Sequence, residues 1–296
     1  MNEILDKYRK ELNYAEVQAG INDAMALSKE MMSDENFKKL FNFIDLTFLN
    51  TTDYRRGIAK VTRQVNHVKP VLGIDNVAAI CVYPRFVSTV KDNLEDDKVG
   101  IAAVVGGFPA SQTFLEVKRL ETKMVFENGA TEADMVISVG EFLDGGSELL
   151  MKEVAALKEE AGDGILKVIL ETGVLNDLSL IYKASILAME AGADFIKTST
   201  GKEKVGATPE SVYVMAMAIK DYYDVTGRKV GLKPAGGVST PENGVEYMAI
   251  VKQVIGEEWL TNELFRIGSS SLADKVLKKL GLTEDKFFSF GGDSSY

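Results

Sequence analysis

One histidine, His67, and one cysteine, Cys81, stand in a chain of 296 residues, and their scarcity removes whole classes of chemistry. A zinc site built on several histidines cannot be assembled, nor can a catalytic network that needs two. A single cysteine excludes internal disulfides. The amino terminus, MNEILDKYRKELNYAEVQAG, is charged and amphipathic rather than a secretory signal, and both features point to the cytoplasm. No run approaches the ~18 apolar residues that span a bilayer, so no membrane partner is expected. Basic residues are outnumbered, 34 against 44 acidic, with no basic cluster. A nucleic-acid footprint needs clustered Lys and Arg and is not expected. The formal charge of -10 serves solubility, while a small anionic ligand remains compatible with it through local groups.

What the chain does have is alternation. Largely apolar runs, FNFIDL (41–46), VAAICV (77–82), GIAAVVG (100–106), ADMVISV (133–139), LKVILET (166–172), ADFIKTS (193–199), KVGLKP (229–234) and LFRIGS (264–269), are separated by amphipathic stretches. Strands apolar throughout suit a parallel sheet buried on both faces. Eight strand–helix units without linkers predict an α/β fold, a single (β/α)8 TIM barrel over 41–283. A helical extension (1–40) precedes it, a lid over the barrel bottom or an oligomer contact, and a short tail (284–296) follows. The rival is an open doubly wound sheet, which lacks support because no GxGxxG follows the first strand. Thr113 and Glu116 have capping-box spacing. Thr208 and Pro209 mark a helix start, and Gly227 its end.

Chemistry in such a barrel sits at the carboxyl ends of the strands. Lys197 ends the sixth strand and Lys233 the seventh. Asp134 lies on the fourth, and Asp45 ends the first with Thr47 just beyond. Strands ~4.8 Å apart would let the two lysines face each other. Two ammonium groups in a partly desolvated pocket repel, so one becomes a neutral amine, the form a Schiff-base nucleophile needs. The plainer alternative is that each lysine snorkels to solvent. Glu171 could orient Lys197 or form a structural ion pair. Lys167, at the opposite end of its strand, and Asp194 read as structural. Cys81 has no evident base and reads as a buried, inert thiol. Gly236–Gly237 after strand seven and Gly268-Ser269-Ser270-Ser271 after strand eight have the composition and place of a phosphate cradle, with Lys202 near enough to add charge.

GADFIKTSTGK (192–202) and VGLKPAGGVST (230–240), with FIDLTFLN, AICVYPRF, ADMVIS, LKVILETG and RIGSSSL in the same order, closely resemble the deoxyribose-phosphate aldolases across roughly residues 43–275. The resemblance implies a metal-independent, cofactor-free class I aldolase cleaving 2-deoxy-D-ribose 5-phosphate to acetaldehyde and D-glyceraldehyde 3-phosphate. By position, Lys197 would carry the Schiff base, Lys233 would tune it, and Asp134 would relay protons. Gly201, Lys202, Gly236, Gly237, Ser270 and Ser271 would hold the phosphate, and Asp45 and Thr47 would support the pocket. Tyr296 would fold over the mouth and assist proton transfer. A homodimer fits the family. The family's glycine after GFP is replaced in GGFPAS (106–111). Two alternatives stay open. One is another Schiff-base barrel, such as a transaldolase or keto-acid aldolase, with Arg85 or Arg266 reading a carboxylate. The other is a non-catalytic phosphosugar-binding barrel.

Overall fold

A computed structural model describes residues 2–8, 11–282 and 288–290. Before the barrel come α1 (Asn2–Leu5), α2 (Tyr14–Glu30) and α3 (Asp34–Asn42). Its first half follows as β1 (Ile44–Phe48), α4 (Arg55–Asn66), β2 (Ala79–Val82), α5 (Val87–Lys91), β3 (Gly100–Val105), α6 (Leu115–Glu127), β4 (Glu132–Val136), α7 (Val139–Leu143) and α8 (Ser147–Ala161). The second half is β5 (Ile165–Ile169), α9 (Thr172–Leu175), α10 (Leu178–Glu190), β6 (Phe195–Lys197), α11 (Pro209–Thr226), β7 (Gly231–Lys233), α12 (Pro241–Val254), β8 (Ile267–Ser269) and α13 (Leu272–Lys279).

All ladders are parallel, in the order β7-β6-β5-β4-β3-β2-β1-β8. Two isolated parallel bridges, Leu232 to Phe265 and Ala235 to Gly268, join the ends. The sheet is thus a nearly closed (β/α)8 barrel, not an open doubly wound sheet. Aliphatic side chains facing outward from the strands meet the helices in one continuous core. Among the described residues no helix is long and apolar enough to cross a membrane.

Several boundaries differ from the sequence reading. The strands are shorter, because Phe41 and Asn42 complete α3 and Val139 opens α7. The expected Thr113–Glu116 capping box does not form. Thr113 is held in the preceding turn, its N–H donating to Ser111 O at 3.0 Å, and α6 starts after Phe114 with no side-chain cap. Ser111 itself adopts φ 59°, a left-handed conformation that favours glycine. Its hydroxyl donates to Val136 O and accepts from the buried Lys118, which pairs with Glu153 at 2.6 Å. The Thr208 cap is present as expected, with Ser211 reciprocating and Gly227 at φ 70° ending the helix. His67 caps the carboxyl end of α4.

Helix α2 of the extension packs on the outer wall of the barrel. Helix α2 buries Val17, Ile21 and Ala24 against the outer faces of α11 and α12. Gly20 makes this approach feasible, because a Cβ there would overlap Tyr213. Gln253 Nε2 donates to Gly20 O at 3.0 Å. A third layer therefore stiffens the wall behind β6 and β7.

Candidate active site

Register decides which polar groups meet inside the barrel. Lys197 and Lys233 are direct ladder partners across β6 and β7, and Asp134 and Lys167 are partners across β4 and β5. Partnered residues on parallel strands project to the same face. The result is one buried ionic cluster. Asp134 is its centre: Oδ2 accepts from Lys197 Nζ at 2.8 Å and from Lys233 Nζ at 2.6 Å, while Oδ1 accepts from Lys167 Nζ at 2.9 Å. Lys167 also donates to Glu132. Asp45 Oδ2 lies 2.5 Å from Lys233 Nζ and 3.3 Å from Lys167 Nζ. Below, Arg266 bridges Asp45 at 2.7 Å and Glu132 at 3.0 Å.

Burying one unpaired ion costs several kcal/mol, so these charges persist only because each has an opposite partner. The other half of the interior is neutral. Ala79, Cys81, Ala102 and Val104 from β2 and β3 pack with Leu49 into a small apolar cluster, which denies the lysines water on that side. Burial raises the Cys81 thiol to about 11, so it is an inert wall, as its lack of a base suggested.

Burial and charge then act differently on each group. For Lys197, burial favours the neutral amine and Lys233 adds repulsion, together outweighing Asp134, so its pKa is lowered. Lys233 is equally desolvated, but Asp134 and Asp45 together hold its proton more tightly than usual. Burial opposes the charge on Asp134 too, yet Lys167, Lys197 and Lys233 keep it well below the ordinary carboxylate range. Asp45 is likewise lowered despite burial by Lys167, Lys233 and Arg266.

Above this cluster opens a cavity of about 220 Å³. Of the sequence candidates, Thr47, Lys197, Gly201, Lys202, Gly236, Gly237, Ser270 and Ser271 line it. Asp45 does not: it is fully buried beneath Lys233. Asp134 and Lys233 also lie below the lining, and Lys197 alone of the four lysine and arginine members both joins the cluster and reaches the cavity. Gly201, Gly236 and Gly237 all have φ between 77° and 79°, which lets the two loops fold their amides toward one space. Lys202 Nζ donates to Leu49 O at the rim, and Ser271 precedes the first turn of α13. Tyr296 lies outside the described residues.

Sequence reasoning missed several participants. Lys167 is not a remote stabiliser, because its long side chain climbs from its strand into Asp134. Glu132 was overlooked, and Arg266 is buried rather than at the mouth. Nothing in their local sequence separates them from ordinary strand charges; only the shared register does. Asn50, Ser239 and Ser269 also line the cavity. Gly206 packs so closely that a Cβ there would lie 2.2 Å from Gly236 O. Glu171 orients Thr200 rather than Lys197, accepting from its hydroxyl at 2.6 Å and from its N–H.

The family model described as "DeoC/LacD family aldolase" matches residues 23–255. The chain belongs to that family. Similar members include the deoxyribose-phosphate aldolases of Mus musculus, 41% identical, and Homo sapiens, 40% identical. Each match covers 82% of this chain and 80% of the relative. Among solved structures, the tetrameric deoxyribose phosphate aldolase from Aeropyrum pernix is 27% identical, with a TM-score of 0.70. That likeness covers 88% of this chain and 97% of that one. The aldolase family and the barrel thus agree with the lysine-centred cavity.

Proposed function

We propose that the protein is a class I aldolase that reversibly cleaves 2-deoxy-D-ribose 5-phosphate through an imine on Lys197. One observation carries this reading: a buried amine with a lowered pKa, held by Asp134, opens into a cavity rimmed by paired glycine and serine loops. The free amine attacks the substrate's C1 aldehyde, and loss of water leaves a protonated imine. That cation draws in the electrons of the C2–C3 bond as the 3-hydroxyl gives up its proton. D-glyceraldehyde 3-phosphate leaves, and an enamine remains. Protonation of the enamine carbon and hydrolysis release acetaldehyde and restore the amine. Asp134, with Lys233 against the same oxygen, is the proton carrier for these steps, acting through water from below the cavity lining. No cofactor takes part.

The phosphate would rest on Gly201, Lys202, Gly236, Gly237, Ser270 and Ser271, with Thr47 opposite. The Gly206 contact makes this testable. Gly206→Ala should displace the Gly236 loop and raise KM for the phosphorylated sugar about tenfold or more, the scale of one lost anion contact. Turnover of unphosphorylated 2-deoxyribose should barely change, and steady-state kinetics with both sugars would check the contrast.

A carboxylated donor is disfavoured, since among the described residues no arginine lines the cavity. Tyr296 as a proton donor to the enamine rests on the resemblance, and deleting it should slow solvent-proton exchange into acetaldehyde. A homodimer in the cytoplasm completes the reading. The deciding experiment is mass spectrometry after mixing with acetaldehyde and borohydride in EDTA. One reduced two-carbon adduct on Lys197, absent from Lys197→Leu, supports imine chemistry. No adduct, or adducts spread over surface lysines, would leave at most a phosphosugar-binding barrel.

A further inference from the structure

The interior cluster has uneven charge. Its cations are Lys167, Lys197, Lys233 and Arg266, and its anions are Asp45, Glu132 and Asp134. Four against three leaves one positive charge in excess if every lysine is protonated. Removing one proton balances the set. A buried, net-charged cluster is far costlier than a neutral one, so one amine should be uncharged. Arg266 is excluded because guanidinium keeps its proton. Lys167 touches three carboxylates and Lys233 two, whereas Lys197 touches only Asp134. Lys197 therefore gives up its proton most easily.

We infer that Arg266 and Glu132, which touch neither the cavity nor Lys197, are positioning residues that set the charge state of the Lys197 amine. Arg266 supplies the fourth cation that makes neutral Lys197 the balanced state. It is fixed for this purpose: it donates to Asp45 and Glu132 and lies 5.7 Å from the Phe195 ring centre. Its charge reaches Lys197 through Asp45, Lys233 and Asp134. Glu132 acts in the opposite sense, as the third anion beside Lys167. The remaining groups facing Lys197 do not upset the count. Cys81 on β2 stays a neutral thiol. Glu171 beyond β5 is committed to Thr200, and Lys202 sits at the rim on Leu49 O.

This inference rests on the Lys197 imine reading, and its test keeps the two apart. The rate of Lys197 adduct formation with acetaldehyde and cyanoborohydride is followed by mass spectrometry across pH, since only the free amine reacts. A unit charge roughly 10 Å away, at an effective dielectric of about 20, moves a pKa by about one unit. Arg266→Met should move the acid limb of the profile up by about one pH unit. Arg266→Lys, which keeps the charge but loses the fork, should leave it in place. Glu132→Gln should move it down by a similar amount, and the Arg266→Met/Glu132→Gln double variant should return it close to the parent. If Arg266→Met does not fold, the sign of the Glu132→Gln shift decides. Limbs that stay fixed in both single variants, that move the same way, or that move as far in Arg266→Lys as in Arg266→Met overturn the inference. A parent protein with no Lys197 adduct overturns the imine reading itself.

Discussion

Lys197→Leu should lose at least about four orders of magnitude in kcat/KM for 2-deoxyribose 5-phosphate, because no other amine in the cluster reaches the cavity to replace it. The fold should hardly notice. Removing Lys197 takes away the amine that is already neutral in the balanced cluster, so Lys167, Lys233 and Arg266 still stand against Asp45, Glu132 and Asp134. The side chain touches only Asp134 in that set, and Asp134 keeps Lys167 and Lys233. Replacing a buried neutral amine with an apolar group of similar length costs little when its former hydrogen-bond partner stays satisfied. Thermal unfolding of Lys197→Leu should therefore fall within a few degrees of the parent, or above it. Turnover measured beside a melting curve tests both halves. Retained activity would remove Lys197 from the chemistry, and a large loss of stability would show that the charge count misjudges the cluster.

That separation of activity from stability was only half legible in the sequence. Lys197, Lys233 and Asp134 stood out because strands buried on both faces rarely carry charge, and the loop glycines and serines stood out by their place after strands seven and eight. The closed barrel followed from eight apolar runs and their spacing. Lys167, Glu132 and Arg266 could not be found this way. Each sits near the start of its strand, where a charge usually reaches solvent at the barrel bottom. What turns them inward is three-dimensional register, together with Gly231. A Cβ on Gly231 would overlap the Phe195 ring, so its absence lets that ring lie flat in the lower layer, with Arg266 over it. Asp45 was assigned to the pocket for a similar reason. The apolar run ending at Asp45 suggested the carboxyl end of the strand, but β1 runs on to Phe48, so Asp45 is its second residue and sits in the layer beneath Lys233. The missed capping box at Thr113 has a different cause: a side chain at φ 59° two residues earlier folds the chain into a turn that no spacing rule anticipates.

Asp134→Asn is the opposite case, expected to damage both fold and turnover. Asp134 binds three lysines with its two oxygens, and an amide of the same shape cannot neutralise them. Breaking a buried pair by removing one partner typically costs about 3–5 kcal/mol, or a drop of roughly 10 °C in a protein of this size. The deficit should depend on pH in a definite way. In the parent, Asp134 is ionised well below the ordinary carboxylate range, so its stabilisation is fully present above the unfolded pKa near ~3.9 and is lost as pH falls through the lower folded value. In the variant, three lysines share too few anions and bind their protons less tightly than in the parent. Its stability should then rise relative to the parent as pH climbs toward the unfolded lysine pKa near ~10.4. The gap in melting temperature should be widest near neutrality and close at both extremes. Catalysis should drop about 10²–10⁴-fold, the usual contribution of a positioned proton carrier. Since Lys197 would be more fully deprotonated, the loss should fall on the proton-transfer steps and not on formation of the trapped adduct. An Asp134→Asn protein that melts like the parent at pH 7, or that fails to form the Lys197 adduct while still folded, would show that this carboxylate does not hold the three lysines as described.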